Sequence, residues 1–427
     1  MTPGRRPPAR VAAALLAAAT LAVAAAQGLP RGDGDVALAH DLAYVAADGA
    51  LAVRPADAGP VRTYAAPGTT HAFPAWSPDG TRLAAIRRSP AGASLVVVDP
   101  TTPDATTPDA ADVWFDEAGA NVVYFDWRDD GAAVYLLVSD PATGFALVEA
   151  TRDGAERLAR GAPLFWDQTP DGDLLVHVGG PGPARLFELD PATGGASGPL
   201  AEPGAFRSPA ASPSGAWRAY AERAPGDVLR AVVEPTGADA PRRELGHQGL
   251  AAFAWAPDRD VLALLRPVTD QPHAFGPLGG LDADTGLFEP WTDATVVAFW
   301  WAPTGDRVAV LAVSGPGGGS VAQAAGPRRV AARFVQRGPA FRLGVVDVAA
   351  ADTRWLGEVA PSGTFLSQYV PFFDQYARSH AAWSPDGRWL TLPLQGPGGA
   401  RVAAIDVSEG RVHDVAAGGM PAFPAPR

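Results

Sequence analysis

Trp76-Ser77-Pro78-Asp79-Gly80 is the stretch that decides the fold, because it returns intact at Trp383-Ser384-Pro385-Asp386-Gly387 and five times in altered form between the two. The altered copies are Trp127-Arg128-Asp129-Asp130-Gly131, Gln168-Thr169-Pro170-Asp171-Gly172, Ala211-Ser212-Pro213-Ser214-Gly215, Trp255-Ala256-Pro257-Asp258-Arg259 and Trp301-Ala302-Pro303-Thr304-Gly305. They recur every roughly 40 to 50 residues, apart from one double gap, and each lies between two short apolar runs. A tight turn repeated at that period points to the blades of a β-propeller rather than to a helical array.

Each residue of the phrase has a structural task. Pro sets φ at the first central position of a turn, Asp or Ser tolerates the next, and Gly takes the left-handed conformation that closes the hairpin. The Trp ahead of the turn offers a large apolar surface to wedge between neighbouring blades. The Asp is therefore read as a turn-former, not as a metal ligand or general acid.

Composition agrees. A chain of 427 residues with 48 Gly and 43 Pro suits a hairpin-rich fold that grows by adding blades. Cys is absent, which excludes disulfides, thiolate metal sites, a cysteine nucleophile and a lipidated N-terminal cysteine. Every basic side chain is Arg, and the net charge of -12 argues against nucleic acid as the main partner. Arg5, Arg6 and Arg10 precede the uncharged run from Val11 to Ala26, with small residues at Ala24 to Ala26 for cleavage. This reads as a secretory signal over 1–27, or as an N-terminal anchor if uncleaved, and predicts a periplasmic or secreted protein. Residues 28–40 are expected to form a linker and 41–427 the propeller.

From Leu42 three short strands can be followed without a preceding turn phrase, so the first blade is one strand short. Ala422-Phe423-Pro424-Ala425 repeats Ala72-Phe73-Pro74-Ala75, the lead-in to Trp76. The C-terminus is thus expected to supply the innermost strand of the N-terminal blade and remove its free edge. The fold class is all-β, a propeller of eight four-stranded blades with this closure, or of seven if the poorly patterned stretch Gly280 to Trp291 fails to complete a blade. Thr101 to Ala110, a tandem Thr-Thr-Pro-Asp-Ala, reads as a solvated low-complexity loop.

The turn phrase followed by an apolar strand, in Trp76 to Ile86 and Trp383 to Leu394, resembles the WD40-like (PD40) repeats of TolB-type propellers, over nearly everything after residue 41. The resemblance implies an extracytoplasmic interaction module, or the substrate-gating propeller of prolyl-oligopeptidase-like enzymes. Neither TolB's preceding α/β domain nor a following hydrolase domain is expected in this chain. It also has no G-x-S-x-G nucleophile elbow.

Two insertions break the period between Trp301 and Trp383 and should emerge on the face opposite the turn phrases. Gly315 to Ala340 carries Arg328, Arg329, Arg333 and Arg337, with Val330 and Phe334 four apart, a basic face opposite an apolar one. Ala360 to Ser379 gathers aromatic and polar side chains, and the candidate binding residues are Tyr369, Phe372, Phe373, Asp374, Gln375, Tyr376, Arg378 and His380. The structural alternative is that these rings plug the channel mouth. His71, His247 and His380 fall just before innermost strands, but their spacing gives no metal-ligand pattern. No catalytic, cofactor or metal residue is assigned. The expected role is a protein-binding or scaffold module with a partner in the cell envelope, no nucleic acid, and membrane contact only through an uncleaved N-terminus. The alternative is a small-ligand-binding or hydrolase-accessory propeller that uses its central channel.

Overall fold

The computed structural model of the chain describes residues 28–32, 36–57, 59–101, 111–141, 144–179, 184–201, 208–237, 240–270, 273–314 and 340–425. The run read as a signal, most of the tandem Thr-Thr-Pro-Asp-Ala loop and the basic insertion with Arg328, Arg329, Arg333 and Arg337 lie outside them. Among the described residues no helix is long and apolar enough to cross a membrane.

The turn phrases do what their residues allow. Gly80, Gly131, Gly172, Gly215, Gly305 and Gly387 all take positive φ, between 65° and 96°. In the intact copies the Asp carboxylate caps its own turn: Asp79 Oδ1 accepts from the Ser77 hydroxyl at 2.6 Å and from the Thr81 backbone N–H at 3.0 Å. Ser77 Oγ in turn accepts the Arg82 N–H at 2.9 Å, and Ser384 does the same for Trp389. The Ser is thus the hinge between turn and next strand.

On either side of these turns the β-branched and apolar runs pair antiparallel. Six sheets result. Four have four strands each, running from Thr70–Trp76 to Asp112–Phe115, Val122–Trp127 to Gly154–Arg160, Leu164–Gln168 to Ala196–Ala201, and Ala210–Ala211 to Arg243–His247. A fifth has seven strands, from Ala252–Trp255 to Asp352–Val359. The sixth joins Trp389–Gly396, Gly399–Asp406 and Arg411–Ala422 to Leu42–Ala46, Leu51–Arg54 and Arg62–Tyr64. The chain is all-β in antiparallel, mostly four-stranded units, consistent with a β-propeller.

Both larger sheets contain one long strand that serves two neighbours in succession. Phe288–Trp301 pairs first with Gly276–Asp282 and from Val296 onward with Arg307–Ser314. The stretch Gly280 to Trp291 therefore does pair, with Gly280 opposite Glu289 and Leu281 opposite Phe288. Its weak patterning has a steric cause: a Cβ on Gly279 or Gly280 would stand 2.5 Å from the Phe288 ring or 2.2 Å from the Trp291 indole. The rings lie where side chains would otherwise be.

Arg411–Ala422 likewise pairs with Gly399–Asp406 and then, from Gly418, with Leu42–Ala46, through Ala43↔Ala422, Val45↔Gly419 and Ala46↔Gly418. The C-terminal strand does close the N-terminal one. The sequence repeat needs correction, however. Met420-Pro421-Ala422-Phe423, not Ala422-Phe423-Pro424-Ala425, matches Phe73-Pro74-Ala75-Trp76, because Trp76 Nε1 donates to the Ala422 carbonyl at 3.1 Å just as Trp127 Nε1 donates to that of Ala75 at 3.0 Å. Phe73 and Met420 also share a left-handed backbone, φ 51° and 50°.

Those two indole contacts belong to a series. Trp255 donates to the Ala210 carbonyl at 3.2 Å, Trp301 to Ala254 at 3.0 Å and Trp383 to Trp300 at 3.0 Å. Each Trp thus reaches another inner strand, in a neighbouring sheet in every case but Trp301, whose partner Ala254 lies in the same seven-stranded sheet. A second tie runs alongside: Arg82, Arg259 and Arg307 donate to the turn carbonyls of Gly131, Gly305 and Gly387 in the following unit. Arg82 lies over both Trp114 and Trp127, at 5.5 and 5.3 Å from the ring centres.

The segment read as a linker does not hang free. Leu29 N donates to the Glu358 carbonyl, Gly32 N to that of Val412, and Val412 N back to Pro30. Leu29, Val36 and Leu38 are buried, which gives this arm its own apolar purchase on the sheets.

Candidate functional site

After strand Asp352–Val359 the chain makes a short bridge, Pro361 to Leu394, and then leaves the repeat pattern. Phe365–Tyr369 forms a π turn, Val370–Phe372 one 3-10 turn, and Phe373–Ser379 a short helix, α1. Pro371 occupies an early position of the 3-10 turn, where its missing N–H costs nothing. A π turn is rare and holds its side chains out of helical register. α1 packs against three innermost strands, Val122–Trp127, Ala252–Trp255 and Phe288–Trp301. The insertion therefore bridges strands of two different sheets.

Its aromatic side chains form a column. Phe73 stacks on Tyr376 at 4.4 Å between ring centres, Tyr376 on Tyr369 at 5.2 Å, and Tyr369 on Phe365 at 4.8 Å, all within 22° of parallel. Each such pair is worth about 0.5–1.5 kcal/mol beyond the area it buries. Phe373 meets Phe299 edge to face at 5.2 Å. Trp300 Nε1 donates to the Tyr369 hydroxyl at 2.8 Å, and the Tyr124 hydroxyl donates to the Gln375 carbonyl at 3.0 Å. Burial pushes the Tyr369, Tyr376 and Tyr124 hydroxyls well above the ordinary phenol range.

Arg378 gives the helix its charged anchor. Its guanidinium lies 2.7 Å from the Asp167 carboxylate and donates to the Pro209 carbonyl at 2.8 Å. Here the Trp series fails at two adjacent seams, because the phrases begin with Gln168 and Ala211. The Gln168 amide replaces one indole, donating to the Trp127 carbonyl at 2.7 Å, and Ala211 N donates to Asp167 Oδ2 at 2.8 Å. Beside them Asp126 is held up at about 7 by burial, then by the charges of Asp167 and Asp129, with the Gln168 amide pulling it down.

Of the eight candidate binding residues, Tyr369, Phe373, Asp374, Gln375, Tyr376 and His380 are buried and Arg378 is half-buried. They build the plug. Only Phe372 is open, at 47% exposure. Seven of the eight candidates are thus drawn into the packing of the insertion on the strands beneath it. Phe372 stands at the edge of a surface groove of about 630 Å³ between the plug and the strands from Arg88 to Phe165. Val123, 39% exposed, shares its wall, and the buried Gln375 Nε2 has no partner among the described residues.

On its other flank the plug encloses a second cavity of about 230 Å³, bounded by Val45 to Ala47, Gly418 to Pro421 and strand Trp389–Gly396. His71 and His380 both line it, whereas His247 ends an outer strand elsewhere. His380 Nδ1 lies 2.7 Å from Ser379 Oγ, its Nε2 has no partner among the described residues, and burial pulls the ring down to about 4 against the nearby Phe73 and Tyr376 carbonyls. Burial also lowers His71. Phe73 and Met420 border the same space, and the Phe73 N–H meets Met420 Sδ at 3.2 Å. Each left-handed backbone costs about 1–3 kcal/mol and is held by its surroundings. Both residues precede a proline, which disfavours the right-handed helical region for the residue before it.

No protein-family model matches the chain, and no curated protein sequence matches it. Solved structures do resemble it. A TolB from Acinetobacter baumannii is 17% identical, with 59% of this chain and 63% of that one covered and a TM-score of 0.37; this chain thus spans less than two thirds of that TolB. An oligogalacturonate lyase in complex with manganese is 12% identical over 92% of this chain and 86% of the other, with a TM-score of 0.46. A eukaryotic initiation factor is 11% identical, covers 91% and 98%, and has a TM-score of 0.52. The last of these shows a shared fold along almost the whole of both chains, and at that identity it shows the fold alone.

Proposed function

We propose that residues 41–427 form an eight-bladed, TolB-like propeller that works outside the cytoplasm as a protein-binding or scaffold module, behind a signal or anchor at 1–27. The reading of eight blades is supported by dividing the two long strands. Phe288–Trp301 then ends one blade and begins the next, as does Arg411–Ala422, and the bridge Trp383↔Leu390 supplies the remaining inner strand. The charge of -12 and the basic-then-apolar N-terminus favour an extracytoplasmic protein partner over nucleic acid.

One observation carries the binding role: Phe372, on a rigid plug whose other rings are buried, is left half in solvent at the rim of an apolar groove. A plug needs no exposed Phe for its own stability. A partner would seat an apolar residue against Phe372 and Val123 and offer a carbonyl to Gln375 Nε2. Because the groove is held by sheets and a stacked column, little ordering entropy would be lost on binding.

The test is a photo-crosslinking side chain at position 372 in intact cells, with the same probe at Leu287, which is exposed on a remote turn, as control. The expected result is one defined envelope protein captured from 372 and not from 287, and lost in Val123→Asp. Capture of the same proteins from both positions, or of none from 372, would remove the proposal.

A further inference from the structure

We propose that the cavity between the plug and the closing strands is a binding site for an uncharged aromatic monocycle with one hydroxyl substituent, a ligand of phenol's chemistry. The site lies apart from the Phe372 groove and does not depend on its role.

Size comes first. The space of about 230 Å³ exceeds the roughly 150 Å³ in which an engineered apolar cavity holds benzene, and it falls short of the usual pocket for drug-sized molecules. One ring with a substituent fits. Its walls are suited to a flat face, because Phe73, Trp300, Phe365 and Tyr369 all border it. None of the residues lining it is Asp, Glu, Arg or Lys, and both histidines are held neutral by burial at physiological pH. An ion entering would shed its water with nothing to replace it.

The polar groups then select the substituent. His380 is buried and its Nε2 is unpartnered. The Tyr369 oxygen already accepts the Trp300 N–H, and no acceptor for its own proton is found among the described residues. A buried polar atom left without a partner is costly, so each of these awaits a complement. A hydroxyl is the smallest group that can donate to one and accept from the other. With His380 Nδ1–H given to Ser379, Nε2 accepts the ligand's proton while the ligand oxygen accepts from Tyr369. In the other tautomer Nε2 donates to that oxygen instead. Access exists as well: Ala47 and Thr364, at the edge of the cavity, are exposed, while Phe73, Trp300 and His380 at its floor are buried.

The experiment titrates the full chain with phenol, benzoate and glucose while following the imidazole nitrogens of His380 by NMR. Phenol is expected to shift Nε2 saturably, with benzoate and glucose each at least about tenfold weaker. Ala47→Trp, at an exposed turn position over the mouth, should weaken phenol by a similar factor while leaving the melting temperature near wild type. Phe372→Asp should leave phenol binding unchanged, which separates this site from the groove. A His380 signal indifferent to phenol means that water alone completes the ring's hydrogen bonding and overturns the proposal. Tighter binding of glucose or benzoate overturns the ligand class, and an Ala47→Trp variant that binds phenol normally overturns the location.

Discussion

Arg378, on helix α1, and Asp167, on an innermost strand, form an ion pair at 2.7 Å beside one of the two seams among the described residues that carry no tryptophan tie. Both side chains are only 16% exposed. Removing one partner of such a pair leaves the other charge with little solvent to fall back on. Arg378→Ala is therefore expected to lower stability by about 2–3 kcal/mol, somewhat below the range for a fully buried pair. Chemical denaturation should show this as a shift of the midpoint. A change under about 0.5 kcal/mol would mean that the plug, not its anchor, holds the seam.

The tryptophan ties have a separable polar component. Trp127→Phe keeps most of the buried ring but leaves the Ala75 carbonyl without its donor, for an expected loss of about 1 kcal/mol. Trp127→Ala adds a cavity and should cost about 3–5 kcal/mol. Equal losses in the two variants would assign the whole effect to the hydrogen bond.

Arg82 joins neighbouring units through two indole faces and the Gly131 carbonyl. Arg82→Met retains the aliphatic stem and loses both polar contacts. A loss of about 1–2 kcal/mol is expected in thermal unfolding, and Arg82→Lys should recover only part of it, because an ammonium lacks the planar fork.

The acidic group beside Arg378 makes a pH prediction. Asp126 rises from the ordinary 3.8 to about 7 in the folded chain, through burial and then through the charges of Asp167 and Asp129. A carboxyl whose folded value is the higher one is protonated more readily in the fold. Its contribution is thus fully present below about pH 4 and is lost as the pH climbs to about 7. Asp126→Asn should match wild type near pH 4 and be more stable above pH 7, by about 1 kcal/mol given the group's partial exposure. Melting curves at the two pH values decide it; a gap that is largest at low pH would contradict the assignment.

What the sequence disclosed was local chemistry. Pro, Asp and Gly in one phrase specify a turn without reference to the rest of the chain, so Trp76-Ser77-Pro78-Asp79-Gly80 and its copies could be read directly, and the strands flanking them followed. The doubtful stretch at Gly280 lacked a pattern because its glycines make way for Phe288 and Trp291, a relationship visible only once the two strands are paired. The repeat near the C-terminus was misplaced because Ala-Phe-Pro-Ala matched by letters, whereas the geometry matches Met420-Pro421 to Phe73-Pro74.

The site was legible only in outline. An aromatic-rich insertion is conspicuous in a chain of Ala, Gly and Pro, yet the same composition serves an exposed recognition loop and a self-packing plug. Which of the two forms depends on whether Phe73, Tyr124, Trp300 and Asp167 wait beneath it, and these stand far away in sequence. Of the eight candidates only Phe372 escapes that packing. The cavity was hinted at by His71 and His380, whose shared position before or within inner strands did bring them to the same space.

The pairing of Val45 with Gly419 has a consequence for the order in which the molecule is made. The strands around Leu42 and Leu51 are synthesised first but cannot complete their sheet until almost the entire chain is available. Contacts so distant in sequence form late and slowly. An architecture whose first sheet waits for its last strand keeps that sheet open until synthesis is nearly complete, so a chain cut short before Gly418 would leave Leu42–Ala46 with an unpaired edge.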